Sequence, residues 1–235
     1  MGEHPQRTDG LVQRLMHSRV IPAIYERWWR PGLARLAKGP FGPSMAEEQR
    51  LARELLDLRG GDRVLDVACG PGNFTRSLAD AVGPTGLVVG IDGSPTMLRR
   101  ARADTDPAAF PSARYVMGDA ERLPVRAAAV DAVCCFAALY LFAHPYAAVD
   151  ELTRVLAPGG RIALLASAQP KLEPPDWWTS FVERRTGIRI FDRTELTDAL
   201  TERGYVDVRQ RITGLIQFVS ARRPSGAEVT LTQQP

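Results

Sequence analysis

The chain has 235 residues, enough for one large domain or a domain with a small appendage. Hydrophobic residues make up 45% and charged residues 24%, the balance of a soluble globular protein and not of a disordered or fibrous one. The net charge of +3 comes from scattered arginines, so Arg99-Arg100-Ala101-Arg102 reads as a solvated helix face and no nucleic-acid partner is expected. No apolar run approaches the ~20 residues of a membrane span, and no secretory leader opens the chain, so a cytoplasmic protein is expected.

Residues 1–10 are polar. Irregular helical patterning follows to about Leu36, broken by Pro22 and Pro31-Gly32 and rich in aromatics: Tyr25, Trp28 and Trp29. A breaker, Lys38 to Pro43, closes this N-terminal helical segment, 1–43. Ser44 with Glu47 forms a capping box for a helix whose core face is Leu51, Leu55, Leu56 and Leu58. Alternation then sets in: strand Val64–Val67, helix Asn73–Val82, strand Leu87–Ile91, and helix Pro95–Ala103 behind the N-cap Ser94. Strands Arg114–Met117 and Val130–Phe136, a helix Tyr146–Leu156 and strand Arg161–Ala166 continue it. Near-continuous apolar strands in β-α-β order call for a parallel sheet with helices on both faces.

The segment Gln169–Ile190 interrupts the rhythm with Pro170, Pro174, Pro175, Trp177 and Trp178, and reads as an insertion over the carboxyl edge of the sheet. Helix Thr194–Arg203 ends at Gly204, and Val206–Arg211 with Leu215–Ala221 form a hairpin about Thr213-Gly214. Residues 44–223 thus form the core, with 169–190 inserted, and 224–235 read as a disordered tail.

Chemistry concentrates where strands end. In Val64-Leu65-Asp66-Val67-Ala68-Cys69-Gly70-Pro71-Gly72-Asn73-Phe74-Thr75, a buried strand meets a glycine turn and a helix start, an arrangement that offers backbone amides to an anionic group. The slot where a dinucleotide fingerprint needs a third small residue holds Thr75. Asp92, about 20 residues on, can accept both hydroxyls of a ribose; the alternative is a helix cap, for which Ser94 is better placed. Asp119, after strand Arg114–Met117, suits an amino group on an adenine edge, or it shapes a turn. Three such elements at successive strand ends are far more specific than any one. The cysteines, Cys69, Cys134 and Cys135, make no disulfide framework, and the adjacent pair in a strand points to opposite faces, so no metal is expected.

The stretches VLDVACGPGNFT, GIDGSPTML, YVMGDAERLPV and RVLAPGG resemble the successive motifs of class I S-adenosylmethionine-dependent methyltransferases. The likeness is strongest to the branch of ubiquinone/menaquinone-biosynthesis and small-molecule methyltransferases, over residues 45–168. The resemblance implies a Rossmann-like, seven-stranded, mostly parallel sheet with an antiparallel C-terminal hairpin. It assigns Asp66, Ala68, Cys69, Gly70, Pro71 and Gly72 to the methionine moiety, Asp92, Gly93 and Met97 to the ribose side, and Asp119 and Ala120 to the adenine. Phe136 would end a strand facing the cofactor, and Tyr25 would reach its carboxylate. Cys69 then becomes a turn residue and not a nucleophile. S-adenosylmethionine would be the cofactor and S-adenosylhomocysteine the product.

Methyl transfer from a sulfonium needs alignment and exclusion of water more than acid–base help. A base is required only where the acceptor loses a proton. Tyr140 and His144 follow the fourth strand, where the resemblance places acceptor-side residues; His144 is either a base or a loop histidine before Pro145, and His17 has a weaker claim. Trp28, Trp29, Trp177 and Trp178 come from the two segments that cover the pocket mouth in relatives. They either line an aromatic lid over a planar or lipid-like small-molecule acceptor or pack the lid onto the sheet. The expected activity is O- or C-methylation of a small, fairly apolar acceptor. The rivals are a non-catalytic cofactor-binding subunit of the same fold and an NAD(P)-dependent oxidoreductase. The oligomeric state is left open.

Overall fold

Ser44 opens the first helix, α1 (Met45–Leu56), through the expected capping box: the Glu47 amide donates to Ser44 Oγ at 3.3 Å and the Ser44 amide to Glu47 Oε2 at 2.7 Å. The computed structural model describes residues 43–172 and 174–225. His17, Tyr25, Trp28, Trp29 and residues 226–235 lie outside the described residues.

After α1 come β1 (Arg63–Val67), α2 (Asn73–Val82), β2 (Leu87–Asp92), α3 (Pro95–Ala103), β3 (Ala113–Met117) and β4 (Val130–Phe136). A 3-10 turn (Leu139–Leu141), α4 (Pro145–Val155), β5 (Leu156–Ser167), α5 (Asp176–Thr186), α6 (Glu195–Glu202), β6 (Val206–Thr213) and β7 (Ile216–Arg222) complete the order. The strands form one seven-stranded sheet in the order β3-β2-β1-β4-β5-β7-β6. Strands β1 to β5 pair in parallel, and β7 runs antiparallel to both β5 and β6. This is the Rossmann-like, mostly parallel sheet with the antiparallel C-terminal hairpin.

Its two faces bury separate clusters. One holds Leu65, Val133, Leu164 and Val219 against Leu152 of α4 and Leu196 and Leu200 of α6. The other holds Val64, Ala132, Leu165 and Phe218 against Ala52 and Leu56 of α1 and Leu78 and Val82 of α2. Cys135 enters the first cluster and Cys134 the second, as strand alternation requires. Burial pushes both thiols up, so both stay protonated and unreactive.

Most element ends shift by one or two residues from the sequence expectation, and two differences are larger. Strand β5 begins at Leu156 instead of Arg161, because Leu156 pairs with Val130 before the register shifts and Arg161 resumes opposite Ala132. The turn residues Ala157 to Gly160 therefore form an irregularity within the strand. The inserted segment also contains a regular helix, α5. Its prolines precede the helix, where the missing amide costs nothing, and Gly187 closes it at φ 73°.

Candidate functional site

The carboxyl ends of β1, β2, β3 and β4 share one edge of the sheet, and the residues singled out from the sequence gather there. Backbone conformation is unusual at this edge. Gly70 (φ 53°) and Gly72 (φ 77°) occupy the left-handed region, as do two alanines, Ala68 (φ 58°) after β1 and Ala137 (φ 59°) after β4. A left-handed alanine costs about 1–2 kcal/mol. Such strain persists where surrounding structure over-determines it, and two of the five left-handed non-glycine residues among the described residues, Ala68 and Ala137, stand at these neighbouring strand ends.

Hydrogen bonds from three sides over-determine the glycine turn. The Cys69 amide donates to the Ile91 carbonyl at 3.0 Å, tying the turn to β2. The Gly70 amide donates to Asp92 Oδ2 at 2.9 Å. Behind the turn, the Tyr115 hydroxyl lies 2.8 Å from Thr105 Oγ1, and Arg76 donates to the Pro71 carbonyl at 3.0 Å and to Asn73 Oδ1. A Cβ on Gly72 would sit 2.3 Å from the Tyr115 hydroxyl oxygen. Gly72→Ala should therefore destabilise the fold by roughly 1–3 kcal/mol. Urea denaturation checks this, and an unmoved midpoint would show that Tyr115 yields freely.

Asp66 lies in β1, within the sheet, and is 2% exposed. It accepts from the Thr75 hydroxyl at 2.5 Å, so Thr75, the residue in the third small-residue slot, ties the start of α2 to β1. Burial pushes the Asp66 carboxyl up to about 7, opposed by the Thr75 hydroxyl and assisted by the charge of Asp92. Asp66 is thus an internal post of the turn. Cys69 is buried beside it, and burial with the Asp66 charge raises its thiol, consistent with a turn residue and not a nucleophile.

Asp92 ends β2 with both oxygens engaged: Oδ2 by Gly70 and Oδ1 by the Ser94 amide at 2.8 Å. Ser94 in turn caps α3 by accepting from the Met97 amide, and Met97 is buried. Next to it, the Gly118 amide reaches the Asp92 carbonyl at 3.3 Å, and the Gly118 carbonyl lies 3.8 Å from where a Gly93 Cβ would be. Asp119 Oδ1 accepts from the Glu121 amide at 2.9 Å, so its turn-forming role is present; among the described residues Oδ2 has no hydrogen-bond partner. Ala120 packs at the margin of the α4-side core.

The remaining candidate residues lie at and after the end of β4. The Phe136 ring is 4% exposed and packs on the α1–α2 side, with centroids 5.0 Å from Phe74 and 6.0 Å from Phe218. Tyr140 sits in the 3-10 turn, its carbonyl accepting from the Arg189 amide at 2.9 Å, which brings the inserted segment onto the loop after β4. His144 is the N-cap residue of α4 with a side chain 76% exposed. Sequence reasoning missed its partner: Glu121 accepts from the His144 amide at 2.9 Å and lies 3.0 Å from Nδ1. The hint was adjacency, since Glu121 stands two residues after Asp119 on a loop that must turn toward β4. That loop is fastened again by Glu151, which accepts from the Leu123 amide at 2.7 Å and pairs with Arg154. An open depression of about 450 Å³ beside α6, walled by Asp192, Glu195, Asp198 and Glu202, shares none of these residues.

The donor set fits S-adenosylmethionine. Helix α2 begins at Gly72 with no side-chain cap from that residue and no acid in its first turn; the Thr75 amide is turned to Asp66, and an anion at this helix start would meet the amides ahead of it. Two acids, Asp92 at the end of β2 and Asp119 just after β3, stand at successive strand ends beside this turn.

The methyltransferase-domain family matches residues 65–164, which span this site. The chain is 39% identical over 117 residues to a demethylmenaquinone methyltransferase of Staphylococcus aureus, an alignment covering 50% of this chain and 48% of that protein. The chain therefore spans about half the length of that curated relative. Among solved structures, the cyclase SpnF superposes with a TM-score of 0.67 at 20% identity, over 81% of this chain and 84% of that one. A Haemonchus contortus phosphoethanolamine N-methyltransferase in complex with S-adenosyl-L-methionine superposes with a TM-score of 0.66 at 14% identity, over 76% of this chain and 52% of that one.

Proposed function

We propose that this chain, whose residues 65–164 match the methyltransferase-domain family, belongs to the class I S-adenosylmethionine-dependent methyltransferases and methylates a small, fairly apolar acceptor at oxygen or carbon. The observation that carries the reading is the convergence of the Gly70-Pro71-Gly72 turn, Asp92 and Asp119 at successive strand ends, inside the matched domain. In this reading Ala68 to Gly72 and the uncapped start of α2 hold the amino-acid end of S-adenosylmethionine, with Asp66 bracing them from below. Asp92, with Gly93 and Met97 alongside, holds the ribose, and Asp119 with Ala120 reads the adenine amine. Phe136 supports this edge from the core, and Tyr25 is assigned to the cofactor's carboxylate. The cofactor supplies a methyl group already activated by sulfonium charge. The chain's part is alignment and exclusion of water.

His144 is the candidate proton acceptor, held by Glu121, with Tyr140 beside it on the acceptor side. Where the acceptor is a hydroxyl, His144→Ala should lower turnover on the order of a hundredfold while S-adenosylhomocysteine affinity stays unchanged. Unchanged turnover would leave alignment alone as the chemistry. We assign residues 1–43 and 169–190 to the cover of the acceptor pocket, and a planar or lipid-like acceptor to the aromatics of those segments. The name of the Staphylococcus aureus relative supports a quinone-like member of that class. Three free, buried cysteines suit a reducing, cytoplasmic location.

A second reading is a cofactor-binding protein with another role, since the cyclase SpnF has the same fold. An oxidoreductase is disfavoured by Thr75, whose bond to Asp66 occupies the slot a dinucleotide fingerprint keeps small. The test is release of S-adenosylhomocysteine when S-adenosylmethionine is offered with a panel of planar phenols and quinols. Release with at least one acceptor is expected. Cofactor binding without turnover across the panel would favour the second reading.

A further inference from the structure

Glu121 grips His144 at two atoms of different kinds. Its Oε1 accepts from the His144 amide at 2.9 Å, and its Oε2 lies 3.0 Å from the imidazole Nδ1. The first contact has an ordinary structural use: a carboxylate at the start of α4 satisfies a backbone amide at the positive end of that helix. The second contact adds nothing to that use. The His144 side chain makes no capping bond to α4, and a pair this exposed contributes little stability.

Both sides of the grip are fixed. On the Glu121 side, the Glu121 amide donates to Asp119 Oδ1 at 2.9 Å and the Arg122 amide to the Asp119 carbonyl at 3.2 Å. The Leu123 amide then reaches Glu151 Oε2 at 2.7 Å. The Glu121 side chain is only 26% exposed. Among the described residues it pairs with no lysine or arginine, whereas Glu151 and Glu195 pair with Arg154 and Arg189. On the other side, the His144 carbonyl accepts from the Ala148 amide at 3.2 Å, and Pro145 restricts the chain that follows. The imidazole is therefore tied at Nδ1, and Nε2 has no hydrogen-bond partner among the described residues. The loop that ties it is the one that carries Asp119, the acid assigned to the adenine.

The chemistry of the partner decides which ring nitrogen carries the proton. A carboxylate only accepts, so Nδ1 bonds to it as an N–H, and the neutral ring keeps its lone pair on Nε2. We propose that Glu121 is a positioning residue that locks neutral His144 in the Nδ1–H tautomer, so that its exposed Nε2 takes the proton of a hydroxyl acceptor. The proton passes from the acceptor oxygen to Nε2, and the O–H electron pair stays on that oxygen. The imidazolium so formed carries a proton on each nitrogen, with Nδ1–H still facing the carboxylate, whose charge stabilises it. The Nε2 proton then leaves to water on the exposed side of the ring. The use of the base rests on the methyltransferase reading with His144 on the acceptor side; the tautomer does not.

E121Q separates the two contacts. A glutamine offers one acceptor and one donor group. Turning its oxygen to Nδ1 would set its NH2 against the His144 amide, donor against donor. The oxygen therefore stays with the amide, and the NH2 donates to Nδ1. The start of α4 stays satisfied while the ring proton moves to Nε2, where it blocks the base.

The test combines imidazole nitrogen NMR of the full chain and of E121Q, with His144 identified by H144Q, and steady-state methylation of phenols and quinols. The wild type should show Nδ1–H and E121Q should show Nε2–H. In E121Q kcat should fall on the order of a hundredfold, with KM and the affinity for S-adenosylhomocysteine unchanged. E121Q/H144A should be no slower than H144A alone, because Glu121 acts only through His144. Nε2–H in the wild type, or an unchanged tautomer in E121Q, overturns the proposal. So does an inverted tautomer with undiminished turnover. An additive loss in the double variant, or loss of S-adenosylhomocysteine binding by E121Q, overturns it in favour of a role for Glu121 apart from the base. A wild type that methylates no phenol or quinol counts against the methyltransferase reading, and the imidazole spectra still decide whether Glu121 sets the tautomer.

Discussion

Replacing Asp66 by asparagine should remove a pH dependence of stability worth on the order of 4 kcal/mol between about pH 4 and pH 7. The folded carboxyl titrates near 7, against about 3.8 in the unfolded chain, because burial penalises its charge more than the Thr75 hydroxyl favours it. A carboxyl with a raised folded value binds its proton more tightly when folded. Its contribution is therefore fully present below the unfolded value of 3.8 and is lost as pH rises through about 7. The asparagine variant has no such proton to lose. Its stability relative to the parent should improve steadily across that window, even though its amide must find a partner at a cost of about 1–3 kcal/mol. Urea denaturation at half-unit intervals of pH reads this directly. Parallel profiles for the two proteins would mean that Asp66 is ionised in the fold throughout.

Asp92→Ala should weaken binding of S-adenosylhomocysteine by roughly ten- to hundredfold, since a hydrogen bond to a charged acceptor contributes about 1.5–3 kcal/mol. Two effects act together. The variant loses the acceptor assigned to the ribose, and it also frees the Gly70 amide and the Ser94 amide that Asp92 now holds. Asp92→Asn separates them: it keeps an oxygen for Gly70 but not the charge. Calorimetry should place the asparagine variant between the parent and the alanine variant. Equal affinity in all three would remove Asp92 from the site.

Much of this was written plainly in the chain. Strands β1, β2 and β4 are near-continuous apolar runs, β1 and β2 leading into glycine turns, and α1 and α3 announce themselves by Ser44 and Ser94. Local chemistry of this kind needs no tertiary information. The residues that bring the strand ends together could be read as a set for the same reason, since each follows its own strand. Interactions between elements were not legible. The bond from Thr75 to Asp66, the clamp of Glu121 on His144 and the pressure of Tyr115 on Gly72 join positions separated by 9, 23 and 43 residues, whose meeting depends on sheet order. Phe136 could not be placed from its strand position alone, because the neighbours that enclose it, Phe74 and Phe218, come from α2 and β7. Helix α5 was hidden because its aromatics Trp177, Trp178 and Phe181 are exposed, so the usual periodic signature of a buried helix face is missing.

The central claim is that the glycine turn, Asp92 and Asp119 form one site for S-adenosylmethionine. Calorimetric titration of the full chain with S-adenosylhomocysteine, and separately with NAD, tests it most directly. The account predicts saturable single-site binding of S-adenosylhomocysteine that Asp92→Ala weakens, and no comparable binding of NAD. Tight NAD binding with no heat from S-adenosylhomocysteine would contradict it.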